Sequence, residues 1–222
     1  MRLPNPDVVK GVIFDLDGVL VNSMPSHIKA WRQAFQDVAG IDVEKKAFYE
    51  LEGMRGIELV EKLLKERNVS ANADKVVEEK DIVFKAMKRP APFPGVKVMI
   101  EGLQQAKAVV SGSSKRDVES VLEASIGKNL FDVLITADDV KKGKPDPLAF
   151  NTALKKMQLK PTQAVVVENA PLGAKAANSA GVPCYVVLNN TLLSRKDFAG
   201  LVAKDRVYEK TSSLKGLLQN AQ

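Results

Sequence analysis

The residues richest in chemistry lie in GVIFDLDGVLVNS, residues 11–23, where Asp15 and Asp17 stand two apart directly after the apolar run Val12-Ile13-Phe14. A strand that stops for ordinary reasons stops in Gly, Asn or Pro. Two carboxylates at one strand end repel each other, and keeping both ionised is costly unless a cation or a reaction requires them. Three other groups follow or flank apolar runs. AKAVVSGSS ends in Ser111, Gly112 and Ser113; TADDVKKGKPDP holds Lys144 just ahead of a helical stretch; QAVVVENA ends in Glu168 and Asn169. Each has an ordinary explanation when taken alone. A strand-terminal Asp forms a turn, SGSS makes a turn and a helix N-cap, a lone lysine is solvated, and Glu-Asn makes a turn with a cap. Together, and in this order, they point to one site.

The elements that would position these groups follow from the apolar periodicity. Val12-Ile13-Phe14 reads as a buried strand. Ile28, Trp31, Phe35 and Val38 share one face and predict a helix over 24–39. Ile57, Val60, Leu63 and Leu64 predict another over 56–67, and 72–89 reads as helical, so 23–90 contains helices only. RPAPFPG, with three prolines and a glycine, marks a linker or sharp turn. Beyond it Val96, Met99, Ile100 and Leu103 form a helical stripe. Strands then alternate with helices: VVSGSS, DVESVLEASIG, FDVLIT, PDPLAFNTALKKMQL with prolines at its start, QAVVVENA, PLGAKAANSAG, VPCYVVL and a last helix, TSSLKGLLQ. Apolar strands alternating with helices specify an α/β fold, a Rossmann-like parallel sheet with helices on both faces. Ligands of such sheets bind at the carboxyl ends of the strands, where the polar groups above would converge. The helical block is too long for a crossover and reads as an inserted, small, all-helical cap. The expected division is a catalytic core of 1–22 and 92–222 and a cap of 23–91.

Composition narrows the function. The chain of 222 residues is 45% hydrophobic and 27% charged, as expected of a globular protein with a substantial core. The formal net charge of +6 would attract anionic substrates such as phosphate esters. It does not point to nucleic acid, because the lysines are dispersed apart from KKGK at 141–144, and aromatic residues make up only 5%. Cys184 is the single cysteine, so no internal disulfide framework exists, which suits the cytoplasm. MRLPNPDVVK lacks the apolar segment of a signal peptide. No apolar stretch approaches the ~18 residues of a membrane span.

The four motifs resemble, as a set, those of the haloacid dehalogenase (HAD) superfamily of hydrolases, in the branch with a small helical cap after the first motif. DLDGVLVNS is similar to that family's DxDGxxxxS; VVSGSS to a strand ending in Ser or Thr; KGKPDP to a lysine before Pro; VVVENAPLGAKAANSAG to an acidic pair before a Gly- and Ala-rich helix. The resemblance implies that Asp15 is the nucleophile that attacks phosphorus and becomes an aspartyl-phosphate. It implies Asp17 as general acid and base, with its backbone carbonyl as a metal ligand. Mg2+ is the implied cofactor, held by Asp15, Asp17, Glu168 and Asn169. Lys144 would neutralise charge in the transition state, and Ser111, with the backbone near Gly112 and Ser113, would hold phosphate oxygens. Asn169 departs from the usual family pattern, which has Asp there, although ENAP-like versions also occur in this branch. Asn keeps an oxygen donor, removes one negative charge and should weaken the hold on Mg2+.

In the cap, His27 and Trp31 lie one turn apart, as at the cap start of β-phosphoglucomutases and related sugar-phosphate and phosphoglycolate phosphatases. That likeness suggests His27, Gly53 and Arg55 as substrate-contacting residues; a surface histidine bordering an apolar stripe and an exposed arginine are the plainer readings. Three functions follow. The first is a Mg2+-dependent phosphatase acting on a small phosphorylated metabolite, a sugar phosphate. The second is a β-phosphoglucomutase-like phosphotransferase using the same Asp15. The third is a non-catalytic phosphate-binding protein, disfavoured because Asp15, Asp17, Ser111 and Lys144 are all present. A dehalogenase has no need of Asp17. The expected partner is a small-molecule phosphate ester, with no nucleic acid or membrane, for a monomer in the cytoplasm.

Overall fold

The computed structural model describes residues 9–189 and 191–219. Its strands are β1 (Gly11–Phe14), β2 (Ala106–Val110), β3 (Val133–Ile135), β4 (Ala164–Glu168), β5 (Cys184–Val187) and β6 (Val207–Tyr208). They form one sheet in the order β3-β2-β1-β4-β5-β6. All five pairings are parallel, with Gly11 of β1 level with Ala106 of β2 and Ala164 of β4. The order reverses between β1 and β4, which opens a crevice beyond their carboxyl ends. β1, β4 and β5 are buried along their whole length, as a sheet covered on both faces demands. Alternate residues supply the two cores. Ile13, Ala108 and Val166 face one side, and Val12, Phe14, Val109 and Val167 the other.

Between β1 and β2 the chain forms α1 (Met24–Ala39), α2 (Lys45–Glu50), α3 (Gly56–Glu66), α4 (Ala73–Ala86) and then α5 (Val96–Glu101). α1 starts with Pro25 in its first turn and stops at Gly40, whose left-handed φ of 66° lets its N–H reach the Phe35 and Gln36 carbonyls. Asn72 caps α4 by accepting from the Lys75 N–H at 3.0 Å. Helices α1 to α4 make the inserted cap. Trp31, Phe35, Phe48, Leu59 and Leu63 pack into the same buried cluster as Ile13 and Val166, so the cap's apolar interior continues into one face of the sheet. The chain crosses into and out of the cap on paired segments. Asn22 N–H donates to Ala91 O at 2.9 Å and Phe93 N–H to Leu20 O at 3.1 Å. RPAPFPG is therefore one half of a two-stranded hinge, followed by Gly95 in the left-handed region at φ 79° ahead of α5.

The remaining helices are α6 (Lys115–Ser125), α7 (Leu148–Met157), α8 (Pro171–Ser179) and α9 (Lys215–Gln219). α7 begins at Leu148, after the prolines assigned to its start, since Pro147 flanks it and Asp146 caps the Leu148 N–H at 2.9 Å. TSSLKGLLQ divides into a 3-10 turn over Thr211–Leu214 and the short α9. α2 and β6 were not expected; at six and two residues they are too short to show a period. Residues 1–8, 190 and 220–222 of the expected core, and most of the segment read as lacking a signal peptide, lie outside the described residues.

Candidate active site

The site is built at the reversal point of the sheet. Asp15 directly follows β1, and its N–H still donates to Val167 O of β4 at 2.9 Å. That bond places its carboxylate beside Glu168, the last residue of β4. Lys144 enters from the loop after β3. Its Nζ lies 2.5 Å from Asp15 Oδ1 and 2.5 Å from Glu168 Oε1, with Val110 O at 3.3 Å. Lys144 is only 2% exposed, so it is no solvated lysine. Burial alone would lower its pKa, but Asp15 and Glu168 outweigh burial and hold the ammonium protonated far above the usual range. The second oxygen of Glu168 accepts the N–H groups of Asn169 (3.0 Å) and Ala170 (3.2 Å), which fixes the turn into α8. Gly173 gives this carboxylate room, because a Cβ there would sit about 2.0 Å from it.

Asp17 is held by four side chains. Ser23 Oγ donates to Oδ1 at 2.5 Å, and His27 Nε2 lies 3.1 Å from the same oxygen. Ser111 and Ser113 hydroxyls approach Oδ2 at 3.3 and 3.4 Å. Burial pushes the Asp17 carboxyl up, but His27, Ser23 and Lys80 overcome it and keep the group well below the ordinary carboxylate range. Ser23 is the last position of the DxDGxxxxS pattern and also precedes α1, where a serine ordinarily caps the helix. Here it makes no cap, and its hydroxyl is turned to Asp17. His27 stacks on Phe84 of α4, ring centroids 4.1 Å apart, so two cap helices fix its ring.

Cap and core meet over the loop that carries Lys144. Lys144 N–H donates to Gly53 O at 3.1 Å, Gly143 N–H reaches Glu58 Oε2 at 3.2 Å, and Arg55 Nη1 reaches Lys141 O at 3.2 Å. Glycines make this approach possible. A Cβ on Gly53 would lie 2.6 Å from the Lys144 side chain, one on Gly112 2.7 Å from Met54 O, and one on Gly143 2.6 Å from Arg55 N. Gly53 also has φ 92°. Arg55 thus spends part of its guanidinium on the cap–core seam. Both Gly53 and Arg55 still line the cavity of about 260 Å3 that lies between cap and core, with Asp15 and Asp17 on its floor and His27 and Lys80 in its upper wall.

Two residues had no place in the reading of the sequence. Lys80 of α4 is buried, with its ammonium 5.3 Å from the Trp31 ring centroid and 5.0 Å from that of Phe84. Its only sequence signal is a lysine at helical spacing from the apolar positions Val76 and Phe84. Glu52, in the turn after α2, is 8% exposed and reaches across to Asn169, whose Nδ2 lies 2.9 Å from both of its carboxylate oxygens. Burial, and then the neighbouring charge of Asp15, push the Glu52 carboxyl well above its usual range. Its position just before Gly53 was the only hint.

Among the described residues, no three His, Cys, Asp or Glu side chains converge as a complete metal shell. A partial set does exist. Asp15 Oδ2 and Asn169 Oδ1 are both buried side-chain oxygens without a hydrogen-bond partner. Buried acceptors are seldom left so, and two oxygens in an excess of negative charge suit a hard divalent cation that retains waters.

The chain has relatives of known function. It is 33% identical over 184 residues to validoxylamine A 7'-phosphate phosphatase of Streptomyces hygroscopicus, covering 79% of this chain and 84% of that one. It is 29% identical over 175 residues to fructose-1-phosphate phosphatase of Escherichia coli, covering 78% and 93%. A solved structure from Bacteroides vulgatus, provisionally named a β-phosphoglucomutase, superposes with a TM-score of 0.86 at 27% identity, covering 97% and 90%. The haloacid dehalogenase-like hydrolase family matches residues 12–187, a span that runs from β1 through the cap to β5 and includes Asp15, Asp17, Lys144 and Glu168. With the fold, the strand-end cluster and the inserted cap in agreement, the chain is an enzyme of the haloacid dehalogenase-like hydrolase family.

Proposed function

We propose that this enzyme is a Mg2+-dependent phosphatase that hydrolyses a small sugar phosphate through an aspartyl-phosphate on Asp15. The observation that carries the reading is the state of Asp15. One carboxylate oxygen is paired with Lys144, the other is buried without a partner, and the residue lines a cavity together with Asp17. The named relatives act on phosphorylated carbohydrates or their analogues, which favours the same substrate class here.

An oxygen of Asp15 attacks phosphorus, the P–O bond to the sugar breaks, and the departing alkoxide takes a proton from Asp17. Water then attacks the acyl phosphate, Asp17 receives its proton, the bond between phosphorus and Asp15 breaks, and inorganic phosphate leaves. In the arrangement described, Asp17 is a carboxylate, the form needed to receive that proton. An incoming phosphate dianion would raise its pKa and load it for the first step. Ser111, Ser113 and the Gly112 backbone would bind phosphate oxygens, and Lys144 would offset charge on the transferred group. Asp15, the Asp17 backbone carbonyl and Asn169 would hold Mg2+ directly, with Glu168 acting through water because Lys144 and two backbone N–H groups occupy its oxygens. The bound ion would supply Lewis-acid neutralisation of the phosphate. The cap, residues 23–91, would choose the sugar through His27, Gly53, Arg55 and Lys80. Cys184 is free and buried, consistent with a cytoplasmic enzyme, and no described helix is long and apolar enough to cross a membrane.

The test is phosphate release with Mg2+ over a panel of sugar phosphates, with Asp15→Asn as blank. Release above the blank is expected for a few related sugars. The structural likeness to a provisionally named phosphoglucomutase supports a second reading, in which Asp15 returns the phosphate to the sugar. Conversion of β-glucose 1-phosphate to glucose 6-phosphate, without free phosphate, would favour it.

A further inference from the structure

We propose that Glu52 is a cap-borne part of the cation site that orients Asn169, so that the site is complete only with the cap closed. The inference rests on the Mg2+ reading above. Asn169 can present either end of its amide to the site, and the two ends are opposite in character: an oxygen that can ligate a cation and an NH2 that would repel it. Glu52 settles the choice. Its two oxygens take Nδ2 at 2.9 Å each, which leaves Oδ1 as the buried, unpartnered end, matching the unpartnered Oδ2 of Asp15. An Asp at 169 would face Glu52 as one carboxylate against another. The departure at Asn169 and the unexpected carboxylate on the cap therefore form one feature, joined by the hydrogen bonds from the Asn169 amide.

The local backbone shows that this is a designed approach. Gly18 makes the room for it, since a Cβ there would fall 2.1 Å from Asn169 Nδ2 and 3.3 Å from Glu52 Oε1. Glu52 is adjacent to Gly53, whose carbonyl accepts the Lys144 N–H, so the same cap turn contacts both Asn169 and the Lys144 loop. Because Glu52 belongs to the cap and Asn169 to the core, cation binding and cap closure are linked, and by reciprocity each favours the other.

The test is calorimetric Mg2+ binding, without substrate, to the unchanged chain and to Asp15→Asn, Glu52→Gln, Asn169→Asp and the double variant Glu52→Gln/Asn169→Asp, with each variant's fold checked by circular dichroism. Glu52→Gln should weaken Mg2+ binding by about 10- to 100-fold, the effect of losing a partner that orients a ligand. The double variant, in which a Gln amide faces an Asp carboxylate, should recover most of that loss; a merely structural role for Glu52 would give no such rescue. Small-angle scattering of the unchanged chain should show contraction on adding Mg2+, and Glu52→Gln should show less. Unchanged Mg2+ affinity in a folded Glu52→Gln would overturn the inference and leave the Mg2+ reading standing. Failure of the unchanged chain to bind Mg2+ would overturn both. If Glu52→Gln does not fold, Asn169→Asp decides: it should melt at a lower temperature without Mg2+ and recover with it, and indifference to Mg2+ would overturn the inference.

Discussion

Lys144 stands between two buried carboxylates and is the single cation within 2.5 Å of either among the described ion pairs. Removing its charge leaves Asp15 and Glu168 buried against each other, and breaking a buried pair in this way costs about 3–5 kcal/mol. Lys144→Met should therefore lose about that much stability without Mg2+, measured by denaturant unfolding, and regain part of it with Mg2+. Equal stability of the two proteins would mean that Lys144 does not neutralise this pair. Asp15, Asp17 and Glu168 stand at or just after apolar runs, where burial at a strand end leaves a one-dimensional signal, whereas Lys144, in a polar loop, was singled out only by the set of motifs and their resemblance to the family's. Lys80 and Glu52 were not read, and Ser23, though it closes the DxDGxxxxS match, was given no role, for a physical reason. Each lies in or beside a cap helix or turn, where its type fits a surface or a cap equally well. Only the packing of cap on core turns it inward.

At the scale of elements, the seam between cap and core depends on backbone lying against backbone. Gly143 in the Lys144 loop approaches the Arg55 N–H, Gly112 after β2 approaches Met54 O, and Gly53 approaches Lys144. A methyl at Gly143 would press on the Arg55 backbone and hold the cap away at this contact. Gly143 is buried there, so Gly143→Ala is expected to lower the melting temperature by about 2–4 °C, the shift given by ~1 kcal/mol in a chain of this size. It should lose about tenfold or more in kcat/KM, because small misplacements of closing elements are costly to catalysis. Full activity would show that closure at this seam is not required. The alternation of strands and helices and the all-helical insertion were legible, as was the hinge at RPAPFPG, because proline, glycine and period 3.6 leave marks in sequence. α2 and β6 left none, being shorter than the periods that would reveal them.

At the scale of the whole molecule, a net charge of +6 surrounds a floor of buried carboxylates. Such a field favours the approach of an anion, and in the proposed reaction Lys144 and a cation would offset the local negative charge. The cap's interior is continuous with one face of the sheet, and the chain joins the two through the paired crossings at 20–22 and 91–93. The proposed reaction, in which the bond to phosphorus passes to Asp15 and then to water, would take place in the cavity between cap and core. The most direct measurement is a rapid acid quench of the Mg2+-loaded enzyme with a phosphate-labelled sugar phosphate, followed by mapping of the label. The account predicts covalent phosphate on Asp15 within the first turnover and none in Asp15→Asn. Release of phosphate with no label on Asp15, or with the label on another residue, would contradict it.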